Sequence, residues 1–140
     1  MEQNARLQSA FWMLRLALGA TAFLAGADKF TNQLTNWEKY LAPQVRKQIP
    51  MSNRTFMRAV GIIEMLVGAG ILSARSGISS YAASAWLLGI AVNLWLNEDY
   101  DIAVRDLNMA VAAFALAQLS ASGERGGEES QIVGHRFEAA

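Results

Sequence analysis

Ile78-Ser79-Ser80-Tyr81-Ala82-Ala83-Ser84-Ala85-Trp86-Leu87-Leu88-Gly89-Ile90-Ala91-Val92-Asn93-Leu94-Trp95-Leu96 contains no Asp, Glu, Lys, Arg or His. A helix in water needs a polar face, and this stretch has none. A hydrocarbon layer about 30 Å thick is crossed by roughly 20 such residues in helical conformation. Three further runs, residues 11–27, 59–74 and 103–121, read the same way. Together the four hold only Arg15, Glu64, Arg105 and Asp106 of the chain's 12 basic and 12 acidic side chains. Isolated strands would leave backbone groups unpaired in lipid, and the runs are too long and unalternating for barrel strands. The sequence therefore predicts an all-α fold, a bundle of four transmembrane helices over residues 1–121, followed by a polar tail at 122–140.

With 140 residues, four spans leave no room for a separate soluble catalytic domain. The formal net charge is zero, so no overall field favours nucleic acid. Cysteine is absent and the single histidine, His135, lies in the tail. The chain by itself supplies no thiol chemistry, no bis-histidine haem site and no metal site. Arg6, the apolar stretch after it and Ala25-Gly26-Ala27 imitate a signal peptide with a cleavage site, but the run is long and carries Arg15 within it, so it is read as the first span.

The connection at 28–55 carries Leu34, Trp37, Leu41 and Val45 at steps of three or four, flanked by Lys39, Tyr40, Arg46 and Lys47. This spacing predicts an amphipathic interfacial segment between the first two spans, either flat on the membrane surface or capping the span ends. Ser52 or Asn53 can cap the second span. Turns at 75–77 and 97–99 make the successive spans antiparallel neighbours. Trp12, Trp37, Trp86, Trp95, Tyr40, Tyr81 and Tyr100 fall mostly near span ends, as in an interfacial belt. Lys29, Lys39, Arg46, Lys47, Arg54 and Arg58, against Arg6, Arg75, Arg125 and Arg136, slightly favour the long loop on the cytoplasmic side. After 121 the Gly-, Ser- and Glu-rich composition cannot bury enough apolar surface to order itself.

Charges at membrane depth require partners. Gly61, Glu64 and Gly68 share one helical face, and Gly19 and Gly26 are seven apart with Arg15 one turn before Gly19. Two small-residue faces predict packing of the first span on the second. Arg15 then pairs with Glu64 or with a carboxylate nearer its own end. Asp101 and Arg105 are spaced i, i+4 for an in-helix pair, and Arg105 is within reach of neutralising Glu64. The expected structural ion cluster is Arg15, Glu64, Asp101, Arg105 and Asp106, joined by Asn93 through hydrogen bonds. Its functional alternative is a site for a polar head group, a quinone carbonyl or a proton.

Tyr100-Asp101-Ile102-Ala103-Val104-Arg105-Asp106, at the start of the fourth span, resembles the Tyr-Asp-x-Ala-x-Arg-Asp signature of DoxX-like small membrane proteins. Leu16-Ala17-Leu18-Gly19 through Gly26-Ala27-Asp28-Lys29-Phe30 is similar to that family's first helix and its exit. The likeness spans residues 11–121 and implies a four-helix membrane fold. Family members are named for a subunit associated with thiosulfate:quinone oxidoreductase. Small size, the missing redox ligands and the polar tail favour a non-catalytic membrane subunit of a larger redox complex, respiratory or photosynthetic, in the bacterial inner membrane, in contact with lipid and with other subunits. Quinone or pigment would reach it through those partners, with Glu64, Asn93, Asp101, Arg105 and Trp86 as candidate contacts. The alternatives are a quinone-interacting oxidoreductase subunit and a small transporter, the latter disfavoured by the lack of an inverted repeat.

Overall fold

The computed structural model describes the backbone of residues 2–73 and 76–138, with side-chain environments for 4–73 and 77–121. It contains helix and no strand among these residues: α1 Glu2–Asp28, a 3-10 turn Trp37–Tyr40, α2 Pro43–Arg46, α3 Asn53–Leu72, α4 Ser76–Leu96 and α5 Tyr100–Glu138. Helices α1, α3, α4 and α5 are each long and apolar enough to cross a membrane. Only 17 to 33 % of each span's apolar window is buried inside the bundle. Leu16, Leu66, Val92 and Val111 all point outward. That burial is too little to hold helices together in water, and outward leucine and valine are what lipid solvates. The chain is an integral membrane protein.

The four spans form two tight pairs. Helix α1 packs along α3 and α4 along α5, whereas α3 on α4 and α1 on α5 touch far more sparsely. The α1–α3 contact is backbone on backbone. A Cβ on Gly26 would stand 2.6 Å from the Gly61 carbonyl oxygen, and one on Gly61 would stand 2.5 Å from that of Gly26. Two turns away, Gly68 meets the Gly19 carbonyl and the Phe23 backbone nitrogen in the same manner. The seven-residue spacing on both helices keeps the two contacts on one face of each, so the antiparallel register is set by shape.

Local sequence explains the ends. The Ser52 hydroxyl accepts from the Thr55 backbone N–H and caps α3. Arg15 caps the other end of α3, donating from Nε to the Ile71 carbonyl at 2.9 Å, from Nη2 to the Leu72 carbonyl at 2.8 Å, and to that of Ser73. A cation there satisfies orphan carbonyls and opposes the negative end of the helix dipole. Between α4 and α5, Glu98 takes a left-handed conformation (φ 66°) while the Asp99 N–H closes back on the Leu94 carbonyl.

Of the two arrangements open to the connection at 28–55 the structure has the cap, and it extends α5 beyond the fourth span. Pro43 opens α2 and interrupts the interfacial segment, so the apolar stripe is split between two short turns. Leu41 and Ala42 are buried and Leu34 is 72 % exposed; the segment folds over the span ends as a cap. Helix α5 does not stop at 121 but continues as helix through Glu138. The predicted end of the second span at 74 and the turn residue Arg75 lie outside the described residues.

Gly26→Ala or Gly61→Ala is expected to force α1 and α3 apart and lower stability by about 1–3 kcal/mol. Gly89→Ala, where a Cβ would meet nothing within 4 Å, is expected to be neutral or stabilising. Melting of the three variants in the same detergent checks the contrast.

Candidate functional site

Each helix carries a charge beside the other's glycine, Lys29 against Gly61 and Glu64 against Gly26. The Lys29 ammonium lies 2.5 Å from Glu64 Oε2, with side chains only 5 % and 10 % exposed. The Lys29 Nζ also sits 3.8 Å from the centre of the Trp37 ring. Trp37 is held there by Asp28, whose carboxylate accepts from Trp37 Nε1 at 2.8 Å, from the Gln33 and Leu34 backbone N–H groups, and from the Thr31 hydroxyl. With four donors the buried Asp28 is fully engaged, and it bends the chain leaving α1 so that the indole covers Lys29.

This pair stands on the wall of a cavity of about 720 Å³ between the two helix pairs. Leu18, Ile71, Ala83 and Ala113, part of the bundle's apolar core, border it. Lys29, Glu64, Trp86, Arg105 and Asp106 supply its polar wall. The cavity exists because the two pairs are each closely zipped but only sparsely joined, and because small side chains such as Ala22, Ala85 and Gly89 face the gap.

The structure redistributes the predicted ion cluster. Arg15 and Lys29 are fourteen positions apart, about 21 Å along a helix, so Arg15 is remote from Glu64 and serves the end of α3. Glu64 is neutralised by Lys29, not by Arg15 or Arg105. Arg105 turns to its neighbour Asp106, with Nε and Nη2 at 3.0 and 2.9 Å from Oδ1, and leaves Asp101 exposed at the helix start. The physical reason is burial: Asp106 is 5 % exposed and needs the cation, whereas Asp101 is solvated. Asp106 and Glu64 both line the cavity, so two carboxylates and two cations share its polar wall.

Asn93 is a latch. Its Oδ1 accepts from the Ala42 N–H at 3.1 Å and its Nδ2 donates to the Tyr40 carbonyl at 2.7 Å, pinning the capping segment onto α4. Trp86 and Trp37 turn inward to the cavity, unlike the exposed Trp12 and Trp95 of the expected belt. The Trp86 Nε1 is buried and makes no hydrogen bond among the described residues. Among the described residues, no group of three or more His, Cys, Asp and Glu side chains could hold a metal.

Lys29, Asp28 and Trp37 escape a reading by span because they follow the first apolar run and look like loop. A signal was present: Gly26-x-x-Lys29 and Gly61-x-x-Glu64 repeat one spacing with opposite charges. With the helices antiparallel, Lys29 stands beside Gly61 and Glu64 beside Gly26, so the two side chains reach toward each other across the glycine contact.

No protein-family model, curated protein or solved structure matches the chain. Fold and site together define its class, a membrane-embedded four-helix bundle with a buried Lys–Glu pair beside an apolar cavity.

Glu64→Ala leaves Lys29 buried without its acid and is expected to lower stability by about 3–5 kcal/mol, whereas Lys29→Met combined with Glu64→Leu recovers most of the loss. A double-mutant cycle by thermal melting in detergent checks this; equal losses in the single and double variants would show that the pair does not hold the bundle.

Proposed function

We infer that the chain is a DoxX-like integral membrane subunit, without catalytic chemistry of its own, of a larger redox complex in a bacterial inner membrane. The observation that carries this reading is the combination of four membrane-spanning helices with a polar helical continuation of α5 through Glu138, well past the span that ends at Ala121. The segment 122–138 adds about 25 Å of helix. Its composition gives no apolar stripe of its own, and a polar helix of that kind gains stability by lying against another surface. The absence of cysteine, and of histidine outside the tail, supports a role in which a partner supplies any redox centre.

A second reading, a subunit that handles quinone, is favoured by one observation: the cavity beside the Lys29–Glu64 pair is within the range of volumes that hold small molecules and is predominantly apolar. In this reading Glu64, Arg105 and Trp86 border the ligand; Asn93 also lines the cavity, with its amide engaged by the capping segment, and Asp101 lies outside it. A transporter would need a continuous wet path, which the apolar core around Leu18, Ile71 and Leu116 opposes.

Extraction in a mild detergent is expected to bring other membrane subunits with the chain, and deletion of 122–140 to weaken that co-purification while the bundle's melting is unchanged. Recovery of the full-length chain alone, with no partner, would overturn the subunit reading.

A further inference from the structure

The polar wall of the cavity is electrically balanced but not saturated. Lys29 and Glu64 close on each other, and Arg105 faces Asp106, so the formal charges of the four side chains sum to zero. Arg105 donates from Nε to Asp106 Oδ1, holds Nη2 2.9 Å from the same oxygen, and has no other ion-pair or hydrogen-bond partner among the described residues. Its side chain is 61 % exposed although it lies within a membrane span and lines the cavity. A guanidinium at such a depth is costly unless polar atoms cover it. Asp106 holds it in place by two contacts, so the spare donors are oriented.

We propose that the cavity binds one uncharged lipophile whose head carries a hydrogen-bond-accepting oxygen, taken by the spare N–H groups of Arg105, with its apolar body between the two helix pairs. The charge count selects an uncharged head: a fifth charge would enter a low-dielectric site with no counter-ion left to meet it. The donor-only chemistry of the guanidinium selects an acceptor oxygen, as in a ketone, quinone or ester. Ala22, Ala85 and Gly89 give the body its room, and a Cβ on Gly89 would meet nothing within 4 Å. The proposal rests on the second reading above, that the cavity takes a lipophile, and goes beyond it by assigning the head and its anchor.

The full chain in lipid nanodiscs is titrated with dodecylbenzophenone, a photoreactive ketone, and with dodecyldiphenylmethane, which lacks the oxygen. Saturable labelling of one site per chain is expected, mapping to cavity residues such as Met109, with the hydrocarbon competing at least about tenfold more weakly. Arg105→Lys keeps a cation for Asp106 but removes the planar fork, and is expected to weaken the ketone about tenfold and leave the hydrocarbon unchanged. Gly89→Leu fills the gap and is expected to abolish labelling with melting near that of the parent. Discs of ether-linked and ester-linked phosphatidylcholine separate two sources of the same chemistry: suppression of labelling by ester lipid alone assigns the seat to the bilayer's own carbonyls, and equal labelling assigns it to a free lipophile. Unchanged ketone affinity in Arg105→Lys, or equal affinity for the two probes, overturns the head-group assignment alone. Absence of saturable labelling in the parent chain, or undiminished labelling of the same residues in Gly89→Leu, overturns the cavity as a site and the second reading with it.

Discussion

The structure depends on a contact in which no side chain takes part. Gly26 and Gly61 bring the backbones of α1 and α3 together so closely that a single added carbon on either would stand within about 2.6 Å of the other's carbonyl oxygen. In lipid, helices gain nothing by hiding apolar surface from water, so such close packing supplies the attraction that a hydrophobic core supplies elsewhere. It also sets the axial register, which lays Lys29 against Gly61 and Glu64 against Gly26, so that the two side chains meet across the contact. The ion pair is a consequence of the packing as much as a support for it. Once formed, neither member can be removed alone without leaving a charge in a low-dielectric site.

Around that pair the chain concentrates its polar bonding at one end of the bundle. Asp28 shapes the exit of α1, Trp37 shields Lys29, and Asn93 ties the capping segment to α4. At the opposite end a single arginine, Arg15, closes α3. Among the described residues, charge serves helix ends, the buried Lys29–Glu64 pair and the Arg105–Asp106 contact. The two zipped pairs, α1 with α3 and α4 with α5, are not drawn together with the same strength, and the gap between them becomes the cavity.

The division of labour among the polar residues follows from burial. Arg105 and Asp101 are spaced as an i, i+4 pair, yet Arg105 serves Asp106, because the buried acid gains far more from a cation than the solvated one does. Spacing along one helix defines which partners are within reach; the environment selects among them. The same holds for the aromatic residues, where Trp12 and Trp95 stay on the outer surface and Trp37 and Trp86 line the cavity.

What the sequence alone determined is the solvent and the architecture. Runs such as 78–96, with no ionisable acid or base, admit only a helix in lipid, and glycines seven apart on the first two spans were enough to mark the faces that meet. Ion partners, the inward turn of Trp86 and the cavity were decided only by the tertiary structure. Lys29 lies beyond the first apolar run and reads as loop; it becomes a buried residue because the axial register of two helices places it beside Glu64, and because the capping segment at 37–46 folds back over both. Pairing across helices depends on relative depth to within one turn, about 5 Å, whereas apolar runs locate helix ends only to within several residues.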